Sequence, residues 1–401
     1  MNNVFSKLLW IFVAALVLAG CTTSPHREYS KTSVPFAALP NGNDPMDPNN
    51  PKKRMGTEHI PSGEGVIAFF ERKRGHALNI ITLSGGGQNG AFGAGFIKGW
   101  RKSGRRPEFD IVTGVSTGAL LATHVFLGTP ADDMVLEDIF TGVSSSDIYH
   151  DESLLRGILK LLFGSNAFYD TTPLKELLDK TISMEVLQRV AAAYDENRRI
   201  WVGTTNLDYD QTWVWNMGLI AKQGTPEALE MYKKVLRASA APPIVFPPVE
   251  IEGHLFADGS VRQNIVVVGF AGTEVPTEPM HGPGNVYVLH NGKEVRKPQS
   301  IQNNALGIAG PVMNAMTTNS MDSMLSRAYF AALARGYRFH LTAIPDDVEN
   351  GDNALAFEPK EMRAAFDAGY ALAQQSDPWR HKPDVSRDIP SWAFEILGPR
   401  Q

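Results

Sequence analysis

Residues 109–128 read FDIVTGVSTGALLATHVFLG. A β-branched apolar run, Phe109 to Val115, meets the pentapeptide Gly114-Val115-Ser116-Thr117-Gly118, and a helix-forming run follows. The pentapeptide fits G-x-S-x-G, and its flanks are those of a nucleophile elbow, with a strand before the serine and a helix after it. Glycine at 114 and 118 allows a turn sharp enough to push the Ser116 hydroxyl out at the helix N-terminus. There the positive end of the helix dipole favours developing negative charge.

The same order occurs once before. ALNIITL (77–83) reads as a buried strand, and the glycine-rich LSGGGQNGAFGAG (83–95) leads into a helical stretch. Strand, loop and helix twice over predict an α/β fold with a largely parallel sheet. Further strands are predicted at 199–207, 211–217, 285–292 and 337–345. Helices are predicted at Pro173–Lys180, Pro226–Ala238, Val312–Arg335 and Glu358–Gln375.

The glycine loop is compatible with three chemistries. Its LSGGGQ resembles the signature of ABC ATPases, but no G-x-x-x-x-G-K-[ST] phosphate loop occurs in the chain. Gly85, Gly87 and Gly90 satisfy G-x-G-x-x-G, which in a dinucleotide site needs an acid at the far end of the next strand. Asp110 stands at the start of that strand, and its far end runs into the elbow. The third chemistry is an oxyanion hole beside Ser116.

A nucleophilic serine needs a base. Asp258 closes GHLFADGSV (253–261), where a short strand ends in an Asp-Gly turn that lifts a carboxylate above a sheet. Two arrangements fit the residue order: Asp258 acting alone, or a triad of Ser116, Asp258 and either His290 or His340.

Four segments together resemble the patatin-like phospholipases: the glycine loop, the elbow about 25 residues later, VGTTNLDYDQTWVWNMG (202–218) and RASAAPPIVFPPVEIEGHLFADGS (237–260). The resemblance runs from about Ala77 to Gln375. It implies a fold like the catalytic domain of cytosolic phospholipase A2, a sheet with helices on both faces. It also implies a Ser–Asp dyad without histidine, with Ser116 as nucleophile and Asp258 as base. Gly85, Gly86, Gly87 and Gln88 would supply backbone oxyanion donors, with Gly90, Gly114, Gly118 and Gly259 as motif glycines. The implied substrates are phospholipids or lysophospholipids, and no cofactor or metal is implied. The chain departs from the family's usual pattern at three places: Ser84 stands where Asp is common, Asn89 where a basic residue is common, and Ser260 where a second Gly or an Ala is common.

Composition narrows the partners. A net charge of −5 with no long basic run points away from nucleic acid. The histidines form no H-E-x-x-H or clustered ligand set. The single cysteine, Cys21, closes LAGC after Lys7 and the apolar run Leu8–Ala19. This arrangement resembles a bacterial lipoprotein signal, with residues 1–20 removed and Cys21 lipidated. Thr22 in place of the aspartate of an inner-membrane retention signal points to the outer membrane. Residues 21–65, rich in Pro and Asn, are predicted to be a flexible tether, residues 66–375 the hydrolase domain and residues 376–401 an irregular strap. LLRGILKLLFG (154–164) forms an apolar stripe with adjacent cations, readable as a lid, an interfacial helix or a core helix. A catalytically silent lipid-binding lipoprotein on the same scaffold is the alternative to an enzyme.

Overall fold

The computed structural model describes residues 27–31, 34, 36–38, 76–142, 172–243, 246–266, 284–294, 305–334, 336–348 and 357–384. The signal segment with Cys21, residues 154–164 and the end of the predicted strap lie outside them. The strands in chain order are β1 (Ala37–Ala38), β2 (Asn79–Leu83), β3 (Ile111–Val115), β4 (Arg199–Asn206), β5 (Gln211–Asn216), β6 (Val249–Ile251), β7 (His254–Asp258), β8 (Asn285–His290) and β9 (Arg338–Ala343). The helices are α1 (Gly90–Lys102), α2 (Thr117–Leu127), α3 (Pro130–Thr141), α4 (Thr172–Thr181), α5 (Met184–Asp195), α6 (Met217–Lys222), α7 (Pro226–Ser239), α8 (Ala305–Ala334) and α9 (Pro359–Leu372).

The strands form one mixed sheet in the order β1-β5-β4-β3-β2-β8-β9, with β7 on β4 and β6 on β7. The run from β4 to β9 is parallel, as the strand–loop–helix repeats require. β5 turns back antiparallel on β4 because only four residues separate them. Asn206 closes that turn: its Oδ1 accepts from the N–H groups of Asp208 (2.9 Å) and Tyr209 (3.2 Å). Residues 36–38, within the stretch predicted to be a tether, add β1 to the edge of β5, and Val34 and Ala37 are buried there.

Alternation along the strands sorts the core onto two faces. Ile81, Leu83, Val112, Ile200 and Val202 face one way and pack with Phe92 and Phe96 of α1, Leu121 of α2 and Tyr232 and Leu236 of α7. Ile80, Ile111, Val115, Trp201, Val286 and Val288 face the other way, against Met321, Leu325, Ala328 and Ala332 of α8. A strand covered on both faces needs no polar face, which is why NIITL and IVTGV show no apolar–polar alternation.

Three helices, α3, α5 and α6, escape the sequence reading although their start signals are present; for α6 it is the Asn216 side chain, which accepts from Leu219 N–H. Thr129-Pro130-Ala131-Asp132 is a capping box that opens α3, and the Ser183 hydroxyl accepts from Val186 N–H to open α5. The glycines of α1 serve packing. A Cβ at Gly95 would lie 1.9 Å from the Phe366 carbonyl, so α9 can cross α1 only where side chains are missing.

Candidate active site

The elbow forms as its sequence dictates. β3 ends at Val115, α2 begins at Thr117, and Ser116 between them holds φ 54° and ψ −126°. This is a left-handed conformation that costs a non-glycine residue of the order of 1–3 kcal/mol. The turn is held from outside. Ser116 N–H donates to Ser239 Oγ (3.0 Å), and the Ser239 hydroxyl donates to the Gly203 carbonyl (2.7 Å). Gly114 and Gly118 permit the approach: a Cβ at Gly118 would lie 2.2 Å from the Leu83 carbonyl, and one at Gly114 2.3 Å from the Gly118 carbonyl.

β4 brings the carboxylate to the serine. On one edge of β4, Val115 of β3 pairs with Gly203, and Asp258 of β7 pairs with the next residue, Thr204. β3 runs parallel to β4 and β7 antiparallel, so their C-terminal ends meet head-on along that edge. The Ser116 hydroxyl donates to Asp258 Oδ2 at 2.6 Å. The other carboxylate oxygen, Oδ1, accepts from the Ser260 N–H (2.8 Å) and hydroxyl (2.6 Å). Gly259 makes the intervening turn, and Asp258 N–H is fixed to the Ala241 carbonyl at 2.8 Å.

Asp258 is 1% exposed. Burial pushes its carboxyl up to about 6, while the Ser116 and Ser260 donors pull the other way. A carboxylate in the ordinary range is a weak base towards an alcohol. One raised to this extent is stronger and is still ionised at neutral pH.

The two histidines are engaged elsewhere. His290 Nδ1 lies 3.2 Å from Ser84 Oγ, and His340 Nε2 lies 3.0 Å from Asn285 Oδ1. His340 also stacks on Tyr287 at 4.6 Å, and burial, aided by nearby His381, pushes its pKa down to about 4. Asp110, at the start of β3, accepts from Asn79 N–H with its carboxylate (2.9 Å), a tie between strand ends.

The glycine loop leaves β2 beside the elbow. Ser84 is buried and held at both backbone groups: its N–H donates to the Leu289 carbonyl (3.0 Å), and its carbonyl accepts from Asn291 Nδ2 (2.7 Å). A Cβ at Gly85 would lie 2.9 Å from the Ser116 Cβ, so only glycine lets the loop come this close. The Gly85 N–H donates to Asn264 Oδ1 at 3.0 Å. The Gly86 and Gly87 N–H groups have no acceptor among the described residues. Gln88 points its side chain away from the serine, donating to Glu361 (2.8 Å) and accepting from Glu358 N–H (2.9 Å), which ties the loop to the start of α9. Gly90 then opens α1 against Phe140 and Thr117.

The structure thus brings Ser116, Asp258, Gly259 and the run from Gly85 to Gln88 to one place at the carboxyl ends of the parallel strands. It adds Ser239 and Asn264, which the sequence reading did not single out. Ser239 lies inside RASAAPP and Asn264 six residues after Asp258. The available signal was only proximity to the motifs, because a polar side chain facing the core looks the same in sequence as one facing water.

Two relatives share about a third of the chain. Calcium-independent phospholipase A2-gamma of Oryctolagus cuniculus is 27% identical over 130 residues, covering 31% of this chain and 16% of the relative. The Mus musculus protein of the same name matches to the same extent. The chain therefore aligns with about one sixth of the length of these relatives. Among solved structures, VipD from Legionella pneumophila aligns over 75% of this chain and 66% of its own, at 14% identity and a TM-score of 0.39. Residues 81–271, just under half of the chain and including both Ser116 and Asp258, match the family model described as patatin-like phospholipase, and the mixed sheet flanked by helices is accordingly that of a patatin domain.

Proposed function

We propose that the chain is an acyl-ester hydrolase of phospholipids or lysophospholipids, working through a Ser116–Asp258 dyad. The observation that carries this reading is the 2.6 Å bond from the elbow hydroxyl to a buried carboxylate, with no imidazole between them. Asp258 accepts the Ser116 proton as Oγ attacks the ester carbonyl. The tetrahedral oxyanion is held by loop N–H groups, each of a kind worth about 3 kcal/mol. Collapse expels the lysophospholipid or glycerophospho-alcohol, which takes the proton back from Asp258, and the acyl group stays on Ser116. Water, deprotonated by Asp258, then attacks the acyl-enzyme, and collapse releases the fatty acid as Ser116 Oγ takes the proton back from Asp258. Every proton and electron pair in this cycle is accounted for by the two side chains, the ester and water.

The test is release of free fatty acid from mixed phospholipid and lysophospholipid vesicles by the purified protein, with labelling of Ser116 by a fluorophosphonate probe. A folded protein that neither labels nor hydrolyses would instead be a silent lipid-binding lipoprotein. The pH profile adds a second check. The dyad requires ionised Asp258, so kcat/KM on a water-soluble ester should fall about tenfold per pH unit below about 6 and level off above it. A profile flat down to about pH 4.5 would remove Asp258 as the base.

The reading extends to the membrane. Cys21 becomes the lipidated first residue after loss of residues 1–20, and the chain from there to about residue 65 links the catalytic domain to the outer membrane. In a cell that processes lipoproteins, Cys21→Ser is expected to abolish incorporation of labelled palmitate and release the protein from the membrane fraction. Palmitate labelling that persists in the variant would rule out the anchor.

A further inference from the structure

The Gly85 N–H, one of the donors implied for the oxyanion, is already in use. It donates to the Asn264 side-chain oxygen at 3.0 Å and to the Asn264 backbone carbonyl at 3.3 Å. One donor is therefore shared between two acceptors of a single residue, and that residue is 3% exposed. Among the described residues, the other end of the carboxamide makes only a 3.9 Å contact from Nδ2 to Met321 Sδ, so the oxygen end dominates its bonding there.

A run of three glycines has no side chains to anchor it, and its peptide planes rotate at little cost. Before the run, Ser84 is tied to Leu289 and Asn291. After it, Gln88 is tied to Glu358 and Glu361. Asn264 supplies the tie from the serine side. A Cβ built on Gly85 would lie 2.6 Å from Asn264 Oδ1 and 2.9 Å from the Ser116 Cβ, so Gly85 is packed between the two residues and a shift of Asn264 is felt beside the serine.

The position of Asn264 in the chain matters equally. Asp258 ends β7, Gly259–Val261 form a single helical turn, and the Arg262 (3.1 Å) and Gln263 (2.8 Å) N–H groups close on the Gly259 carbonyl. Asn264 follows directly. The carboxylate that bonds the serine and the side chain that fixes the glycine loop are thus borne by one short, hydrogen-bonded segment.

We infer that Asn264 is a positioning residue: it locks the Gly85 peptide, so that Gly86 and Gly87 provide the oxyanion donors and the loop keeps its register with the base. This inference rests on the hydrolase reading above. It assigns Gly85 a structural task and makes the segment 258–264 a gauge that sets the spacing between base and oxyanion site.

The test is Asn264→Leu, of similar size but without an acceptor. Active sites are first titrated with a fluorophosphonate, and all constants are expressed per titrated site. A displaced oxyanion loop should lower kcat about 10–10²-fold with KM changed less than about threefold. Affinity for a trifluoromethyl ketone, which forms a tetrahedral oxyanion on the serine, should weaken by the same factor as kcat. Asn264→Ala, which leaves space for a water to accept the Gly85 N–H, serves if the leucine variant does not fold, with a kcat loss of about tenfold expected. A merely structural asparagine would reduce the number of titratable sites and leave both per-site constants unchanged, and that result overturns the inference. Failure of the wild-type protein to label or to bind the ketone would instead remove the hydrolase reading, and this inference with it.

Discussion

Replacing Ser116 by alanine is expected to lower ester turnover on the order of 10⁵-fold, because no other nucleophile is available to form the acyl-enzyme. The change should leave the fold intact. Ser116 holds a left-handed backbone conformation through the Ser239 bond to its N–H, and that bond involves no atom of the serine side chain. What the alanine removes is the hydroxyl bonded to Asp258 Oδ2. The measurement is fatty-acid release alongside circular dichroism and fluorophosphonate labelling. A folded Ser116→Ala protein with normal turnover would end the hydrolase proposal.

The second large effect separates the dyad from a conventional triad. Asp258→Asn is expected to cost about 10³-fold or more in kcat, since a carboxamide cannot take the serine proton. His290→Ala and His340→Ala should each remain within about tenfold of wild type, because their ring nitrogens contact Ser84 and Asn285 and not the nucleophile. A triad predicts the reverse, with one histidine variant as damaged as Ser116→Ala.

The Asp258 variant also carries a stability signature. Its folded-state pKa is raised, so the stability tied to this group is fully present below the ordinary carboxylate value and is lost as pH rises through about 6. At neutral pH the buried charge therefore opposes folding by on the order of 2–3 kcal/mol. Asp258→Asn should melt at or above the wild-type temperature at pH 7, and this advantage should shrink towards about pH 4. A variant that is inactive and markedly less stable at pH 7 would mean that the carboxylate serves the fold instead of opposing it.

How much of this was legible in advance follows from the range of each interaction. The elbow, the glycine loop and the Asp-Gly turn each lie within a dozen residues, where strand, turn and helix signals are local. The caps at Thr129, Ser183 and Asn216 are equally local signals for α3, α5 and α6, which the longer motifs around them do not include. The antiparallel departure at β5 was implicit in the short turn after Asn206. Ser239 and Asn264 were not legible, because what distinguishes them is the direction in which a buried side chain points.

The sequence by itself determined the α/β class, the nucleophile elbow and the two glycine-permitted turns, since each depends on steric rules acting between near neighbours. Only the tertiary structure decided which side chain the serine meets. Ser116 and Asp258 are 142 positions apart, and what joins them is register: Val115 and Asp258 pair with consecutive residues, Gly203 and Thr204, on the same edge of β4. A one-residue slip of β7 would turn the carboxylate to the opposite face of the sheet. Backbone pairing between distant strands thus sets the 2.6 Å contact between the serine and the Asp258 carboxylate.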